Sequence, residues 1–367
     1  MKQFNIFREV VLTLLLICCK TVWAYDFKVD GIYYNITSVK DRTCIVTTPG
    51  DLKTVSTTIQ FGGSTSVLRL PNENLYSGNI VIPQNPEYKG RILTVVGIDC
   101  CAFYSCKNLL SITIPPTVKY IADAAFADCT SLTAIYGDIN ATIGTSAFAG
   151  CKSLCDFNLK RCDFISHKAF QGCSSLTVIS IPEMVSKIGE EAFAKCGRLS
   201  KVEFKDGQSD LSLYMDVFKD SPIDNMYIGR NLSYFTNSEN RTPFDQITHL
   251  TIGDSVTSIN NGISPYNVSG YGFKQLLEEL SEAYKSVIDL SDLKTVVFGS
   301  LLSKVPAFKT AKLESITCRA LTPPEVDGKF SYSIILNSIL NVPKGAQEKY
   351  KAVAPWKDFV IKGTVIK

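Results

Sequence analysis

The chain has 367 residues, of which 45% are hydrophobic and 20% are charged, and its formal net charge is +3. This composition excludes an intrinsically disordered chain, because enough apolar side chains are present to form a core. It also argues against nucleic acid as a partner, since nucleic-acid-binding surfaces require clustered basic residues. Only two His are present, which weakens any mechanism that depends on a His base or a His-ligated metal.

Residues 1–24 have the pattern of a secretory signal peptide. Lys2 and Arg8 give a positively charged start, and Val10–Cys19 follows as an uncharged, mostly apolar run. A run of about ten residues is too short to cross the roughly 30 Å hydrocarbon core of a membrane as a helix. No second long apolar run follows, so we expect no transmembrane span in the mature chain.

Cleavage is predicted after Ala24, because small residues precede signal-peptidase sites, and Tyr25 then becomes the first residue of the mature chain. Lipid attachment at Cys19 is the weaker alternative, since Cys18 stands where a lipidation site usually has Gly, Ala or Ser. Both outcomes predict a secreted protein or one held at the bacterial cell surface or outer membrane.

A repeat of 22 or 23 residues organises the middle of the chain. An Ala-Phe pair recurs in five copies, with a Cys three residues after each Phe and a Leu three residues after each Cys. The Phe residues are Phe103, Phe126, Phe148, Phe170 and Phe193. The Cys residues are Cys106, Cys129, Cys151, Cys173 and Cys196. An Ile also lies five residues before each Phe, at Ile98, Ile121, Ile143, Ile165 and Ile188.

Each copy contains the pattern L-x-x-I-x-I, which predicts a short strand with its apolar side chains pointing inward. The A-F-x-x-C segment predicts a turn on the opposite, convex side. One coil cannot bury its own apolar set, but stacked coils bury Leu over Leu and Phe over Phe in continuous ladders. Each large side chain buried in this way stabilises the fold by about 1.5–3 kcal/mol. The pattern therefore predicts a mostly β solenoid with short convex-side turns or helices.

Beyond the five clear copies the repeat pattern weakens but persists, and the run Phe273–Ile288 has helical spacing. Before the copies, Phe27–Tyr34 has the pattern of a β-hairpin around an Asp-Gly turn. The open ends of a solenoid must be shielded, so a cap is expected at each end. The predicted segments are a signal peptide at 1–24, an N-terminal β cap at 25–83, a solenoid at 84–260, irregular repeats with a helical insertion at 261–320 and a C-terminal cap at 321–367.

The repeat columns resemble those of the BspA-like leucine-rich repeats, a family of surface proteins common in anaerobic bacteria. The motif A-F-x-x-C-x-x-L-x-x-I-x-I-P is clearest over Ala169–Glu191, and the segments 25–34 and 342–359 resemble the family's start and end. The resemblance implies a leucine-rich repeat solenoid and a secreted or cell-surface binding protein, with adhesion to host matrix proteins among its functions. No catalytic residues belong to the motif, so the resemblance implies no enzyme.

Thirteen Cys are present, of which two lie in the predicted signal peptide. We expect the five repeat cysteines to form a ladder of buried thiols, because a buried Cys packs as a small hydrophobic residue. Cys155–Cys162, outside the repeat column, is the best candidate for a disulfide. No C-x-x-C pair is present, so no metal site is expected, and nothing in the sequence indicates a cofactor.

The residues between the inward Leu and Ile of each strand are predicted to form the concave face of the sheet. Most are small and polar, with isolated aromatic residues, which suits a protein or glycan partner. Ser111 and Ala134 are predicted to lie on this face. The candidate partner-binding residues are Tyr136, Asp156, Asn158, Lys201, Glu203, Tyr227 and His249. A solvated sheet without a partner is the alternative interpretation.

These features predict a non-enzymatic protein that binds a macromolecule, either a protein such as a host matrix component or a glycan. The alternative is a structural spacer of the cell envelope without a dedicated ligand. A hydrolase in the irregular stretch 205–310 is a third hypothesis, which requires a Ser or Cys within hydrogen-bond reach of His249.

Overall fold

Each sequence repeat forms one coil of a β-solenoid in the computed structural model, which confirms the predicted fold class. The chain divides into two compact units, Met1–Leu176 and Thr177–Lys367, which are described in turn. The predicted signal peptide lies outside the described residues. The structure describes residues 25–48, 52–55, 68–71, 75–235, 247–257, 259–262, 288–289, 292–306, 308–310, 312–327 and 329–365.

The described part of the first unit is built from short strands joined by turns. Its strands are β1 (Phe27–Val29), β2 (Ile32–Ser38), β3 (Thr43–Thr47), β4 (Leu52–Val55), β5 (Leu68–Pro71), β6 (Gly78–Val81), β7 (Glu87–Tyr88), β8 (Arg91–Ile92), β9 (Thr94–Ile98), β10 (Leu109–Thr113), β11 (Tyr120–Ile121), β12 (Ala134–Ile139), β13 (Thr142–Ile143), β14 (Asp156–Leu159) and β15 (Phe164–Ile165).

Two sheets run along the coils of the first unit. The predicted L-x-x-I-x-I strands form a parallel sheet in the order β14-β12-β10-β6, the leucine sheet. The Ile that precedes each Phe lies in a second parallel sheet in the order β3-β9-β11-β13-β15, the isoleucine sheet. The repeat spacing did not predict this second sheet, because most of its strands contain only two residues.

The predicted hairpin at the start of the first unit is confirmed. Strands β1 and β2 pair antiparallel, and Asp30 and Gly31 connect them with φ of 49° and 83°. Both residues are left-handed, as a two-residue turn of type I′ requires, and Asp-Gly adopts this conformation readily. Beside the hairpin, Tyr76 packs on Phe103 at a ring-centre distance of 4.6 Å and covers the first ring of the Phe ladder.

The Phe side chains of the first unit form the predicted ladder. The rings of Phe103 and Phe126 stack with centres 4.8 Å apart, and the next two steps, to Phe148 and then to Phe170, measure 5.1 Å and 5.2 Å. All four residues are buried. Backbone hydrogen bonds connect the same turns, for example from Phe126 N to Ala147 O at 2.7 Å. These spacings are close to the ordinary strand separation, so the rings stack without bending the backbone.

The repeat cysteines lie beside the Phe ladder as buried thiols. The Cys129 Sγ donates to Phe103 O at 2.9 Å, and the Cys151 Sγ donates to Phe126 O at 3.1 Å. Each thiol therefore satisfies a carbonyl of the preceding coil. Burial raises the pKa of both thiols well above the ordinary value.

No disulfide forms among the cysteines of the described residues. The two members of the candidate pair differ in environment. Cys155 is exposed, whereas Cys162 is buried and its Sγ donates to Phe164 O at 3.2 Å. Both are thiols in the structure, so the suggested bridge between them is absent.

The second unit continues the same design over the described residues. Its strands are β16 (Val178–Ile181), β17 (Lys187–Ile188), β18 (Lys201–Phe204), β19 (Leu211–Leu213), β20 (Asn225–Ile228), β21 (Leu232–Phe235), β22 (His249–Ile252), β23 (Ile259–Gly262), β24 (Ile288–Asp289), β25 (Thr295–Phe298), β26 (Lys304–Pro306), β27 (Phe308–Lys309), β28 (Ser315–Cys318), β29 (Glu325–Asp327), β30 (Ile339–Pro343) and β31 (Val360–Thr364). Its helices are α1 (Tyr332–Asn337), α2 (Gln347–Lys351) and a 3-10 helix at Trp356–Asp358.

Two sheets again run along the coils of the second unit. Its leucine sheet is parallel in the order β16-β18-β20-β22-β25-β28-β30-β31. Its isoleucine sheet follows the order β17-β19-β21-β23. The predicted helix over Phe273–Ile288 falls on residues outside those described, except for Ile288, which lies in strand β24.

Ser221 replaces the Cys of the repeat in the second unit and performs the same task. It is buried, and its Oγ donates to Phe193 O at 2.7 Å while accepting from Cys196 N at 3.0 Å. In this coil a hydroxyl therefore makes the hydrogen bond that the thiols of Cys129 and Cys151 make in theirs.

Arg230 is fully buried in the second unit, although it follows a strand of an otherwise apolar coil. Its Nη2 donates to Pro182 O at 2.8 Å, and its Nη1 donates to Glu183 O. The guanidinium thus fastens the turn that follows strand β16. Burial lowers its pKa to about 10, so it still carries its charge at neutral pH.

Aromatic side chains close the C-terminal end of the second unit. Trp356 is fully buried, and its Nε1 donates to Pro324 O at 2.8 Å. The Tyr350 hydroxyl donates to Ala320 O at 2.9 Å. Both bonds connect α2 and the 3-10 helix to the coil before them, so the polar atoms of these large rings are satisfied.

The Leu column provides a test of the coil-stacking core. Leu132 is 0% exposed and Leu110, one coil earlier, is 47% exposed. We expect Leu132→Ala to lower the free energy of unfolding by about 2–5 kcal/mol, because it leaves a cavity between stacked coils. Leu110→Ala should cost less than about 1 kcal/mol. Urea unfolding followed by circular dichroism measures both, and equal losses would contradict a core built on the Leu ladder.

Candidate functional site

The leucine sheet of the first unit carries one exposed patch. Thr113 pairs in register with Val81 on one side and with Tyr136 on the other, so the three side chains form a row across three coils. Val81 is 66% exposed and Tyr136 is 52% exposed. The predicted outward position of Tyr136 is therefore confirmed.

A bulge follows Tyr136 and shifts the end of the row. Gly137 has a φ of 99°, and a Cβ there would collide with Ile114 O, so the position requires glycine. After the bulge, Asp138 forms an ion pair with Lys160 at 2.8 Å on the surface. In the sequence, Gly137 stands where most copies of the repeat have the last apolar residue of the strand.

The remaining predicted residues of the first unit lie on strand β14. Asn158 is exposed, in agreement with the prediction. Asp156 pairs with Ala134 through the backbone, and its side chain is outside the described part of the structure.

Two other predictions for this face are wrong. Ser111 is only 8% exposed, because its Oγ donates to Asn79 Oδ1 at 2.7 Å on the neighbouring strand β6. Ala134 is buried as well. Both residues lie in the row that starts at Asn79, so on this sheet the row containing Tyr136 is the more exposed one.

The leucine sheet of the second unit presents two outward rows. The pairing register aligns Lys201, Asn225, His249 and Thr295 in the first row, and Glu203, Tyr227 and Thr251 in the second. Lys201 and His249 are exposed, and Glu203 and Tyr227 are half-buried. The register therefore brings all four predicted residues of this unit onto one face.

Hydrogen bonds hold several side chains of this face in place. The His249 Nδ1 lies 2.9 Å from the Thr295 Oγ1 on the next strand. Glu203 forms an ion pair with Lys205 at 2.9 Å, two residues along the same strand edge. These contacts restrict the rotamers of the exposed groups before any partner arrives.

Tyr227 makes the shortest polar contact of the face. Its hydroxyl donates to Asp206 Oδ1 at 2.6 Å. A Cβ at Gly253 would lie 2.6 Å from the Tyr227 hydroxyl, so glycine at this position leaves room for the phenol. Desolvation, followed by the bond to Asp206, raises the pKa of Tyr227 to about 12.

Asp254 and Arg319 extend this polar group along the carboxyl ends of the strands. The Arg319 Nη1 lies 3.5 Å from the Asp254 Oδ2, and Asp254 Oδ1 accepts from Ser300 N at 2.7 Å. Asp206, Asp254 and Arg319 were not among the predicted site residues. A sequence signal that could have pointed to them is the Gly that follows each of three neighbouring strands, at Gly229, Gly253 and Gly299.

The sequence of the stacked coils matches a known repeat family. A family model described as the BspA type leucine rich repeat region matches residues 92–162 and 141–269, with 6 copies. Residues 92–269 therefore consist of BspA-type leucine-rich repeats. The resemblance noted in the Ala-Phe and Cys columns is thereby confirmed.

Solved structures of other leucine-rich repeat proteins are similar to this BspA-type chain. A leucine-rich cell surface protein from Faecalibacterium prausnitzii is 18% identical with a TM-score of 0.45, covering 92% of this chain and 98% of its own. A leucine-rich repeat protein from Bacteroides ovatus is 20% identical with a TM-score of 0.41, covering 94% of this chain and 100% of its own. No curated protein sequence matches the chain.

The hypothesis of a hydrolase in the stretch 205–310 requires a Ser or Cys within hydrogen-bond reach of His249. The hydroxyl that reaches His249 belongs to Thr295 and not to a Ser or Cys. No group of three His, Cys, Asp or Glu within the described ranges is placed to hold a metal ion. Across the same ranges no helix has both the length and the apolar character needed to span a membrane.

The bond from Tyr227 to Asp206 should make stability depend on pH. Because the folded pKa of about 12 exceeds the ordinary value of 10, the bond stabilises the fold fully below pH 10. That contribution is lost as the pH rises towards 12. We expect Tyr227→Phe to cost about 1 kcal/mol at pH 8, with the cost declining above pH 10.

Urea unfolding of the unmodified protein and of Tyr227→Phe between pH 8 and pH 11 measures the difference in their free energies of unfolding. The control is Tyr136→Phe, which removes the hydroxyl of an exposed tyrosine and should change the free energy of unfolding by less than about 0.5 kcal/mol at pH 8. A cost for Tyr227→Phe that grows with pH would contradict the assigned donor.

Proposed function

We propose that this BspA-type leucine-rich repeat protein is secreted or displayed at the cell surface, where it binds a macromolecular partner through the outward residues of its leucine sheets. The partner is a protein, such as a host matrix component, or a glycan. The observation that supports this best is the contrast between the two sides of each strand. The inward side repeats from coil to coil, whereas the outward side changes.

The outward rows have the composition of a recognition surface. In the first unit an exposed tyrosine, Tyr136, stands beside Thr113 and Val81. In the second unit the first outward row carries Lys201 and His249, and the second row carries Tyr227. Tyrosine contributes large contact area at low entropic cost, and polar neighbours confer specificity.

The surface location is supported by the N-terminal sequence pattern and by the family. Residues 1–24 have the charged start, short apolar run and small residues of a signal peptide. Mass spectrometry of the protein after cell fractionation should therefore find a mature chain that begins at Tyr25. A chain that begins with a lipid-modified Cys19 would contradict cleavage after Ala24. It would indicate a protein that is anchored to the membrane by a lipid.

Substitutions on the leucine sheet of the second unit test the binding face. We expect the double variant Lys201→Ala, His249→Ala to weaken binding to a matrix-protein or glycan partner by about tenfold or more. The free energy of unfolding should change by less than about 1 kcal/mol, because both side chains are exposed. Surface plasmon resonance against a panel of purified matrix proteins and glycans measures the affinity.

Lys187→Ala is the matched control, since Lys187 is an exposed residue of the isoleucine sheet in the same unit. It should bind as the unmodified protein does. An equal loss of affinity in the control and the double variant would show that the leucine sheet is not the binding face. Absence of any partner across the panel, together with abundant surface display, would favour a structural spacer.

A further inference from the structure

A basic cavity lies at the N-terminal end of the first unit, outside the leucine sheet. Its volume is about 360 Å³. It lies between the turn that joins β2 to β3 and the small hairpin of β7 and β8. Its lining consists of Arg42, Lys89, Arg91, Tyr88 and an apolar group formed by Ile36, Val39 and Leu93.

The charge of this cavity is of one sign. Arg42, Lys89 and Arg91 are all exposed cations, and the lining contains no carboxylate. Within the described residues none of the three forms an ion pair. Three cations around one concavity focus a positive potential, which attracts an anionic ligand.

The walls of the cavity are held rigidly. Tyr88 stacks on Phe27 at 4.7 Å, and Phe27 stacks in turn on the buried Tyr34 at 5.0 Å. The Lys89 Nζ lies 4.9 Å from the centre of the Tyr88 ring. The aromatic wall and one of the cations are therefore positioned together before a ligand binds.

Backbone hydrogen bonds fix both sides of the cavity. Thr94 N donates to Arg42 O at 2.7 Å, and Leu93 N donates to Pro86 O at 2.9 Å. Leu93 itself is buried and forms the apolar floor. The backbone of Arg42 is thereby anchored, and Arg91 lies in strand β8, which pairs with β7. A guanidinium can bind a sulfate or carboxylate group through two parallel hydrogen bonds.

We propose that this cavity binds an anionic saccharide, namely a sulfated or carboxylated sugar unit of a glycan. The three cations match its charged group. The apolar group of Ile36, Val39 and Leu93 matches the C–H face of the sugar ring. A Glu-rich or Asp-rich peptide would satisfy the cations but offers no ring face to this apolar group. The cavity volume also falls in the range of small-ligand pockets. Because this site is separate from the leucine-sheet rows, it does not depend on the proposed function.

Isothermal titration of the purified protein at 0.15 M salt tests the site with three probes. They are a heparin-derived tetrasaccharide, a tetragalacturonate, and a peptide of glutamates with the same formal charge as the tetrasaccharide. The first two separate sulfate from carboxylate as the recognised group. The third represents an acidic protein segment.

The test variant is Arg42→Gln, Lys89→Gln, Arg91→Gln. Its control is Lys119→Gln, Lys152→Gln, Arg161→Gln, which removes the same three charges from exposed positions of the same unit. We expect at least one saccharide to bind at a single site. We expect the test variant to lose about tenfold or more in affinity and the control less than about threefold.

Tyr88→Leu provides a second readout, since it removes the ring over which Lys89 lies without changing the charge. It should weaken saccharide binding several-fold, and its melting temperature shows whether the protein remains folded. Equal losses in the two triple variants would overturn the proposal, because binding would then follow net charge alone. Tighter binding of the glutamate peptide, or no binding of either saccharide, would also overturn it.

Discussion

The fold depends on the match between the spacing of neighbouring coils and the stacking distance of aromatic rings. Backbone hydrogen bonds set the coil separation near the ordinary strand spacing, and the rings of Phe103, Phe126 and Phe148 stack at 4.8 Å and 5.1 Å. Every coil must therefore place the same kind of side chain at the same inward position. This requirement does not extend to the outward positions, which are available for recognition. The regular core and the variable surface follow from the same constraint.

Much of the coil could be predicted from the sequence because the repeat reports inward packing directly. The Leu, Phe and Cys columns are buried as expected, and Tyr136 and His249 point outward. The isoleucine sheet was missed although its Ile recurs in every clear copy, because most of its strands contain two residues and show no alternation of apolar and polar side chains. The burial of Ser111 depends on Asn79 in a neighbouring strand outside the clear repeat copies. Contacts of this kind join residues far apart in sequence, so they emerge only when the register is known.

The outward side chains are organised by glycine as much as by their own chemistry. Tyr227 lies over Gly253 and bonds to Asp206, which is 21 residues earlier in the chain. A side chain at Gly253 would push the phenol away and break that bond. The bulge at Gly137 redirects the strand after Tyr136 in a comparable way. Gly137 and Gly253 therefore determine which polar side chains lie next to each other on the surface.

The thiols of the repeat column also affect how the protein responds to oxidants. Peroxides and disulfide partners react with the thiolate, and a thiol that stays protonated is inert. Cys129 and Cys151 are buried, and each thiol donates a hydrogen bond to a carbonyl of the preceding coil. Burial keeps both thiols enclosed and protonated, so neither is readily attacked by an oxidant. The stacking of these coils therefore does not depend on the formation of disulfides.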